Sequence, residues 1–242
     1  MLLATQTEST TLADRVFETL CGAIVEGDIS PGSKISEPEL ANRLQISRAS
    51  LREAIGRLEG CSLVTRKPNL GARVVELESA QLLEIYHVRE ALEGMAARLA
   101  AQHMSEREID ALKRLVDEHL QQMELEEDTG ETHFQHVGDL DFHLLIVQGS
   151  HNNRLISLFF NHLYHLVRMY RHQFGLTSQR TRPALAEHQY IVEVIAARDA
   201  EMAELMMRRH VRASRENLEH MLGSPLPDLP PRGGRNQSPE SN

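Results

Sequence analysis

Four residues in the second half of the chain could bind a divalent metal ion together. Asp139 and His143 are four residues apart, so they share one face of a helix that is otherwise largely apolar. A carboxylate and an imidazole on such a helix need partners. His188 and His210 are flanked by apolar residues in two later helical segments. Three imidazoles and one carboxylate that converge in a bundle suit Zn²⁺, Ni²⁺ or Mn²⁺ and leave coordination positions open.

The same residues have a plainer structural interpretation. A hydrogen-bonded Asp/His pair in a protein core is more common than a metal site. Asp141 competes with Asp139, but it lies only two residues from His143 and so points elsewhere on the helix. Three other histidines share one segment and could line a cavity, although single histidines usually bond to backbone or water. These three are His162, His165 and His172.

The segments that carry the histidines have the pattern of a helical bundle. From Ser79 onward, apolar residues recur at helical spacing and strand signals are absent. We predict six helices, over residues 79–103, 105–126, 131–148, 152–174, 183–197 and 199–222. Helices of this number and length predict an all-α bundle. The stretch 223–242 contains five prolines and predicts a disordered tail.

The first quarter of the chain begins with two helix signals. Thr11 and Asp14 have the spacing of a capping box and predict a helix over residues 11–26. Ser36 can cap a second helix that buries Leu40 and Leu44.

A third helix and a hairpin follow. Ser47 can cap the third helix, and a tight turn separates it from the second. The inward-facing residues of this helix are Leu51, Ile55 and Leu58. Residues 63–75 have the pattern of two strands around a tip that contains Asn and Gly. Three helices followed by such a hairpin predict a winged helix-turn-helix, so the whole chain is predicted to be mainly α.

The third helix carries two arginines that could contact DNA. Arg48 and Arg52 lie one turn apart near its start, and Ala49 and Ser50 leave room for close approach. Arginines in that position can pair with guanine edges or phosphates. A solvated helix face with no partner would have the same pattern.

The charge distribution separates the two segments. The chain of 242 residues carries a formal net charge of -9, which at first argues against nucleic-acid binding. Residues 11–75 contain nine Lys/Arg and eight Asp/Glu, whereas residues 76–222 contain fifteen and twenty-four. Within residues 43–73 there are seven basic and two acidic residues, a local excess that suits phosphate contacts. All thirteen histidines lie in the second segment.

Other features of the sequence exclude several classes of protein. The two cysteines, Cys21 and Cys61, fit no CxxC or zinc-finger pattern and are expected to be reduced, packed thiols. No run of about 18 apolar residues is present, and the first residues are polar and Thr-rich. We therefore expect a soluble, cytoplasmic protein with no membrane partner.

The first segment resembles the DNA-binding domain of GntR-family bacterial regulators. The family pattern has Pro-Gly before the second helix, Ser-Arg-x-x-(Val/Leu)-Arg-Glu-Ala-(Leu/Ile) in the recognition helix and a glycine at the wing tip. Here these are Pro31-Gly32, residues 47–55 and Gly71. The resemblance implies that the operator is contacted by Ser47, Arg48, Ser50 and Arg52, with Gly71 of the wing in the minor groove.

The sequence departs from the family pattern at two places. Pro38 stands where many members carry an arginine that touches DNA, which puts the usual operator sequence in question. Cys61 and Ser62 replace the usual Glu-Gly before the first wing strand, and we expect this change to affect only the turn.

The second segment resembles the effector domain of the FadR subfamily of GntR regulators. Asp139-Leu140-Asp141-Phe142-His143, followed by Gly149-Ser150-His151-Asn152, is similar to its Asp-x-x-Phe-His…Ser-Gly-Asn signature. Glu187-His188 and Arg209-His210 are similar to its other two metal-bearing positions. The resemblance implies a divalent metal, zinc or alternatively nickel or manganese, at Asp139, His143, His188 and His210.

Arg89 also matches a position that is common in this domain family. It lies in the motif Val88-Arg89-Glu90-Ala91-Leu92-Glu93 and could hold the carboxylate of an effector beside the metal. A structural salt bridge to a nearby glutamate is an equal alternative.

These observations predict a metabolite-responsive transcription regulator, most often a repressor in such families. We expect a DNA-binding domain over residues 9–76, a helical effector and dimerisation domain over 79–222 and a disordered tail over 223–242. The expected partners are a palindromic double-stranded operator, a second copy of the chain and a small organic acid. Two alternatives are a regulator with a purely structural metal and a metal-dependent hydrolase. The second lacks an HExxH motif and leaves the winged helix unexplained.

Overall fold

The fold of the N-terminal part is three helices and a three-stranded sheet. The computed structural model describes residues 11–67, 71–76, 78–129, 134–173 and 180–223. The elements in chain order are α1 (Leu12–Val25), β1 (Lys34–Ile35), α2 (Glu37–Arg43), α3 (Arg48–Gly60), β2 (Val64–Lys67) and β3 (Gly71–Val74). The sheet has the order β1-β3-β2 and is antiparallel throughout. The predicted winged helix-turn-helix is therefore confirmed, with one strand more than the sequence indicated.

The helix starts in this part follow the predicted capping chemistry, with one difference. The capping box of Thr11 and Asp14 is formed, and Ser47 accepts a hydrogen bond from the backbone N–H of Ser50. Ser36 precedes α2 without a side-chain cap. The prediction that α2 buries its two leucines is confirmed in part, because both pack against the core of the domain while remaining partly exposed. The one fully buried residue of α2 is Ala41, while Leu40 and Leu44 are half-buried.

The second part of the chain is a bundle of long helices. They are α4 (Ser79–His103), α5 (Glu106–Thr129), α6 (Phe134–Gly149), α7 (Asn153–Phe159), a π-helical segment (Phe160–Tyr164), α8 (His165–Gln173), α9 (Thr181–Ala196) and α10 (Ala200–Gly223). The predicted helix over residues 152–174 exists, but it is α-helical only at its two ends. The predicted tail over 223–242 lies outside the described residues apart from Gly223, the last residue of α10.

The antiparallel helices α4 and α10 form the largest contact within the bundle. Gly94 permits their close approach, since a Cβ there would collide with the side chain of Arg208. Ion pairs across this contact join Glu90 to Arg212 and Arg98 to Glu204. Among the helices in the described ranges, none is both long and apolar enough to cross a membrane.

One helical stretch belongs to the cores of both parts of the molecule. We call residues 153–173, which comprise α7, the π-helical segment and α8, the shared helix. Phe159, Leu163 and Tyr170 lie in the core of the bundle. Met169, which is fully buried, instead packs into the core of the winged helix-turn-helix. A displacement of the shared helix would therefore change the packing of both cores.

A thiol–imidazole contact also joins the two parts. The Sγ atom of Cys21 on α1 lies 3.2 Å from Nδ1 of His165 on the shared helix. Burial raises the pKa of Cys21 to about 12. Burial, with a smaller contribution from Arg168, lowers the pKa of His165 to about 4. Both groups are consequently neutral near pH 7, which agrees with the expectation of a reduced, packed Cys21 thiol.

We predict that the burial of these two groups gives the protein a pH window of maximal stability. In the unfolded chain His165 takes up a proton below its ordinary pKa of 6.5, so stability falls as the pH drops from 6.5 toward 4. The Cys21 thiol ionises in the unfolded chain above 9, so stability also falls as the pH rises from 9 toward 12. The loss on the acid side, which we call the acid limb, is measured as the difference in the free energy of unfolding by urea between pH 7.5 and 5.5.

Two ring substitutions isolate the contribution of His165 from that of all other titrating groups. His165→Phe should lose less stability between pH 7.5 and 5.5 than the wild type does, because it cannot take up the proton. His162→Phe, at an exposed position of the π-helical segment just before His165, should behave as the wild type. An identical acid limb in His165→Phe and the wild type would contradict a buried, neutral His165.

Candidate metal centre and DNA-binding face

Three buried histidines from three helices converge in the core of the bundle. His143 lies on α6, His188 on α9 and His210 on α10. The Nε2 atom of His210 is 3.2 Å from Nε2 of His143 and 3.2 Å from Nε2 of His188. Among the described residues these three form the one group of His, Cys, Asp and Glu side chains that could hold a metal ion.

Two glutamates contact the outer nitrogens of two of these rings. Oε2 of Glu93, on α4, lies 2.5 Å from Nδ1 of His143. Oε2 of Glu187, on α9, lies 2.7 Å from Nδ1 of His210. The ring of His188 is instead stacked on Phe142, with centroids 3.8 Å apart and planes at 17°.

Each glutamate is also paired with an arginine. Nε of Arg89 lies 2.5 Å from Oε1 of Glu93, and both side chains are buried. Burial alone would raise the pKa of Glu93, but Arg89 and His143 outweigh it and lower the pKa to about 2. Arg180 contacts both carboxylate oxygens of Glu187. Burial opposes ionisation of Glu187 as well, and His210 and Arg180 together lower its pKa.

The donor set fits a divalent metal of the zinc type. Glu187 is hydrogen-bonded to Nδ1 of His210, and a carboxylate that accepts from Nδ1–H leaves Nε2 with its lone pair. Glu93 lies beside Nδ1 of His143 and favours the same tautomer there, in which His143 and His210 would present acceptors to each other at 3.2 Å. Facing lone pairs at that separation repel unless a cation lies between them. Two imidazole nitrogens on one tetrahedral zinc ion, each about 2.0–2.1 Å from the metal, would be roughly 3.3 Å apart. The residues present would hold such an ion, which acts as a Lewis acid toward an oxygen ligand.

Of the two aspartates proposed near His143, Asp141 is the one whose side chain the structure describes. Asp139 lies on α6 one turn before His143, and its side chain is outside the described part of the chain. Asp141 is half-buried, and its pKa is raised by burial despite Arg168. Asp141 does not belong to the three-histidine group.

Arg89 makes the salt bridge that the sequence allowed as an alternative role. Its guanidinium lies over the ring of Tyr86 as well as beside Glu93. Nη1 of Arg89 is nevertheless buried without a hydrogen-bond partner among the described residues. A buried guanidinium N–H that lacks an acceptor is costly, so this donor is suited to an anionic ligand.

Sequence reasoning missed the two glutamates. Glu93 follows Arg89 by four residues, a spacing that signals an ion pair on one helix face, but nothing in the sequence connects Glu93 to His143. Glu187 adjoins His188 in the sequence and contacts His210 instead. The other histidines of the shared helix do not join the cluster: His165 contacts Cys21, and His162 is exposed.

The residues expected to touch DNA are at the start of α3 and on the wing. Ser47 and Arg48 are exposed, and the hydroxyls of Ser47 and Ser50 are 2.9 Å apart. Nε of Arg52 donates to Oε2 of Glu37 on α2 at 2.8 Å, although the Arg52 side chain is largely exposed. Gly71 begins β3 with a φ of 79°, a conformation that favours glycine.

The two departures from the family pattern have local consequences. Pro38 lies in the first turn of α2, where its missing N–H costs no intrahelical hydrogen bond. Ser62 has a φ of 58° at the turn after α3. The family's glycine at that position is explained by this left-handed backbone, which serine adopts at a cost of about 1 kcal/mol.

Comparisons with known proteins match the two parts of the chain to two family models. Residues 12–74 match the model of bacterial regulatory proteins of the gntR family, and residues 84–213 match the model of the FCD domain. An uncharacterised HTH-type transcriptional regulator of Bacillus subtilis, YdhC, is 29% identical over 206 residues, or 85% of this chain and 90% of that protein. A probable D-xylose utilization operon transcriptional repressor of Paenarthrobacter nicotinovorans is 27% identical over 210 residues, or 84% and 87%.

A solved structure has the same fold. Escherichia coli McbR/YncC superposes with a TM-score of 0.68 at 20% identity and covers 88% of this chain and 99% of that chain.

We predict that Arg89 is needed for the stability of the bundle. Arg89→Met leaves the Glu93 carboxylate buried without its guanidinium, which should lower the free energy of unfolding by about 3–5 kcal/mol. The matched control on the same helix is Arg98→Met, whose pair with Glu204 is partly exposed and should contribute about 0–1 kcal/mol. Urea unfolding of the metal-free proteins measures both. Equal losses in the two variants would show that the buried pair has no special role.

Proposed function

Since the chain belongs to the GntR family of bacterial regulatory proteins and carries an FCD domain, we propose that it is a metal-dependent sensor of a small organic acid. As a member of this family it is a DNA-binding transcriptional regulator, and its domains and relatives are not those of an enzyme. The hydrolase alternative is therefore set aside. In the proposal, residues 9–76 bind the operator and residues 79–222 bind the metal, the acid and a second copy of the chain.

In the DNA-bound form, a homodimer contacts a palindromic operator. Two recognition helices related by a two-fold axis read half-sites about one helical turn apart. Ser47, Arg48, Ser50 and Arg52 contact bases and phosphates, and Gly71 brings the wing close to the minor groove. The exposure of Arg48 and Arg52 at the start of α3 is the observation that carries this assignment. We propose repression as the outcome, in line with the Paenarthrobacter relative, a probable transcriptional repressor.

The input is a divalent metal held by His143, His188 and His210, with Asp139 as the fourth protein ligand. The convergence of the three Nε2 atoms carries this step. Zinc is the first candidate, and nickel and manganese are the alternatives, since all three accept imidazole nitrogen.

A small carboxylate completes the site. It would bind the metal through oxygen and accept a hydrogen bond from Nη1 of Arg89, the buried donor that has no acceptor in the described part of the protein. An acid that binds one arrangement of the bundle better than another shifts the population of the two. The shared helix offers a route to the DNA-binding domain, because Phe159 lies in the core of the bundle and Met169 packs into the core of the winged helix-turn-helix.

A purely structural metal is the second candidate. All three histidines are buried, and a closed site that only fastens α6, α9 and α10 together would place them in the same way. The two functions differ in whether a small organic acid changes the stability and operator affinity of the protein once the metal is bound.

We expect the DNA contacts to depend on the two arginines of α3. Arg48→Ala and Arg52→Ala should each weaken binding to an operator fragment from the neighbouring chromosomal region by about 1–3 kcal/mol, or roughly 5- to 150-fold. Arg107→Ala, an exposed arginine of the bundle, is the control and should bind as the wild type. Fluorescence anisotropy over a range of salt concentrations measures the affinities. Unchanged affinity in both α3 variants would contradict the proposed DNA-binding face.

We expect one equivalent of Zn²⁺ to raise the thermal unfolding midpoint of the chelator-treated protein, because the ion binds only the folded chain. His143→Ala and His188→Ala should abolish the rise, whereas His162→Ala, at an exposed histidine outside the cluster, should retain it. Metal analysis of the purified proteins gives the stoichiometry. A rise that persists in His188→Ala would place the metal elsewhere.

The acid is tested on the zinc-loaded protein. Lactate, succinate and citrate serve as probes, and at least one small carboxylate should raise the unfolding midpoint further and alter operator affinity. Arg89→Lys keeps a positive charge near Glu93 but loses the planar fork of donors, so it should reduce the response to the acid. If zinc stabilises the protein and a broad panel of acids shifts neither the midpoint nor operator binding, the metal is structural.

A further inference from the structure

We infer that Glu93 and Glu187 are positioning residues that orient His143 and His210 for the metal. The inference rests on the proposed metal site and adds the groups that fix the tautomer of two of its ligands. Each carboxylate lies between an arginine and the Nδ1 atom of a histidine, so the same arrangement occurs twice around one point.

The first arrangement connects α9 to α10. Oε2 of Glu187 lies 2.7 Å from Nδ1 of His210, and Oε1 accepts from Nη2 of Arg180 at 2.6 Å. Arg180 also donates from Nη1 to Oγ of Ser214 at 2.9 Å. Because Ser214 lies one turn beyond His210 on α10, Arg180 fixes the glutamate against the helix that carries the histidine.

The second arrangement connects α4 to α6. Oε1 of Glu93 faces Nε of Arg89 and Oε2 faces Nδ1 of His143, both at 2.5 Å. Oε2 also accepts a hydrogen bond from Nη2 of Arg89 at 3.4 Å, so this oxygen faces both partners. The side chain of Glu93 is 1% exposed, whereas that of Glu187 is 38% exposed.

The chemical consequence is the same at both places. A neutral imidazole has one N–H and one lone pair, and the hydrogen bond at one nitrogen decides which is which. A carboxylate at Nδ1 accepts, so the proton stays on Nδ1 and the lone pair stays on Nε2. Only that tautomer lets His143 and His210 direct lone pairs at the point they share with His188. The negative charge also makes each ring a stronger ligand.

His188 is oriented by a different contact. Its ring is stacked on Phe142, the residue that immediately precedes His143 in the chain. Phe142 is fully buried, so the stack fixes the plane of His188 relative to α6. The α6 segment therefore supplies both a ligand and the orientation of another.

The partly exposed Glu187 is the better residue for an experiment, because its partner Arg180 keeps a hydrogen bond to Ser214 when the carboxylate is removed. Glu187→Ala should bind Co²⁺ about 10- to 100-fold more weakly than the wild type, measured by competition with a chromophoric chelator. Glu187→Gln should recover part of the loss, since its amide oxygen can still accept from Nδ1–H. Glu193→Ala, an exposed glutamate on the same helix, is the control and should bind as the wild type.

The tautomer itself is measured without metal. Two-bond ¹H–¹⁵N spectra of histidine-labelled protein should show His210 protonated on Nδ1 in the wild type and in Glu187→Gln. In Glu187→Ala they should show a mixture of the two tautomers. Circular dichroism and urea unfolding confirm that the variants are folded, and a role confined to the salt bridge with Arg180 would change stability but not the tautomer.

The outcomes separate the two proposals. If the wild type binds Co²⁺ and Glu187→Ala binds it equally well with an unchanged His210 tautomer, the positioning role is wrong and the metal site stands. If the wild type binds no metal, the metal site is wrong, and the tautomer spectra alone decide whether Glu187 orients His210.

Discussion

The convergence of three imidazoles at one buried point is the constraint on which the rest of the bundle depends. His143, His188 and His210 come from three different helices, and their Nε2 atoms can approach to 3.2 Å only if α6, α9 and α10 keep their relative positions. Helix α4 contributes to the same constraint, since it carries Glu93 and packs closely along α10 at Gly94. The site is therefore a property of four helices rather than of one motif.

The shared helix extends this constraint beyond the bundle. Packed interiors do not deform smoothly, so a displacement at one end of a well-packed helix is carried to the other. Its π-helical segment, Phe160–Tyr164, is a single wide turn of the kind that often marks functional positions. Beyond it, Met169 and the Cys21–His165 contact fasten α8 to the winged helix-turn-helix. The shared helix thus contributes residues to the cores of both domains.

The sequence predicted elements well where the signal was local. The capping box of Thr11 and Asp14 and the inward face of α3 depend on residues within a few turns, and both are present as expected. The two-residue strand β1 has no periodicity to detect, and it forms because β3 lies beside it. The contact of Glu93 with His143 joins residues fifty positions apart. Their spacing carries no signal, since only the packing of α4 on α6 brings them together.

The same contrast between local and long-range signals explains why the sequence predicts which histidines are ligands but not how their rings are oriented. Residue type and helical spacing identify a ligand, but whether its lone pair points inward depends on the group at its other nitrogen. That group is a glutamate that is paired in turn with an arginine. Glu93 is paired with Arg89 in the buried core, and Glu187 is paired with Arg180 at a more exposed position. In the proposed function, an acid that takes up the remaining donor of Arg89 acts on Glu93 and through it on His143. By linkage the metal and the acid must then alter each other's affinity equally.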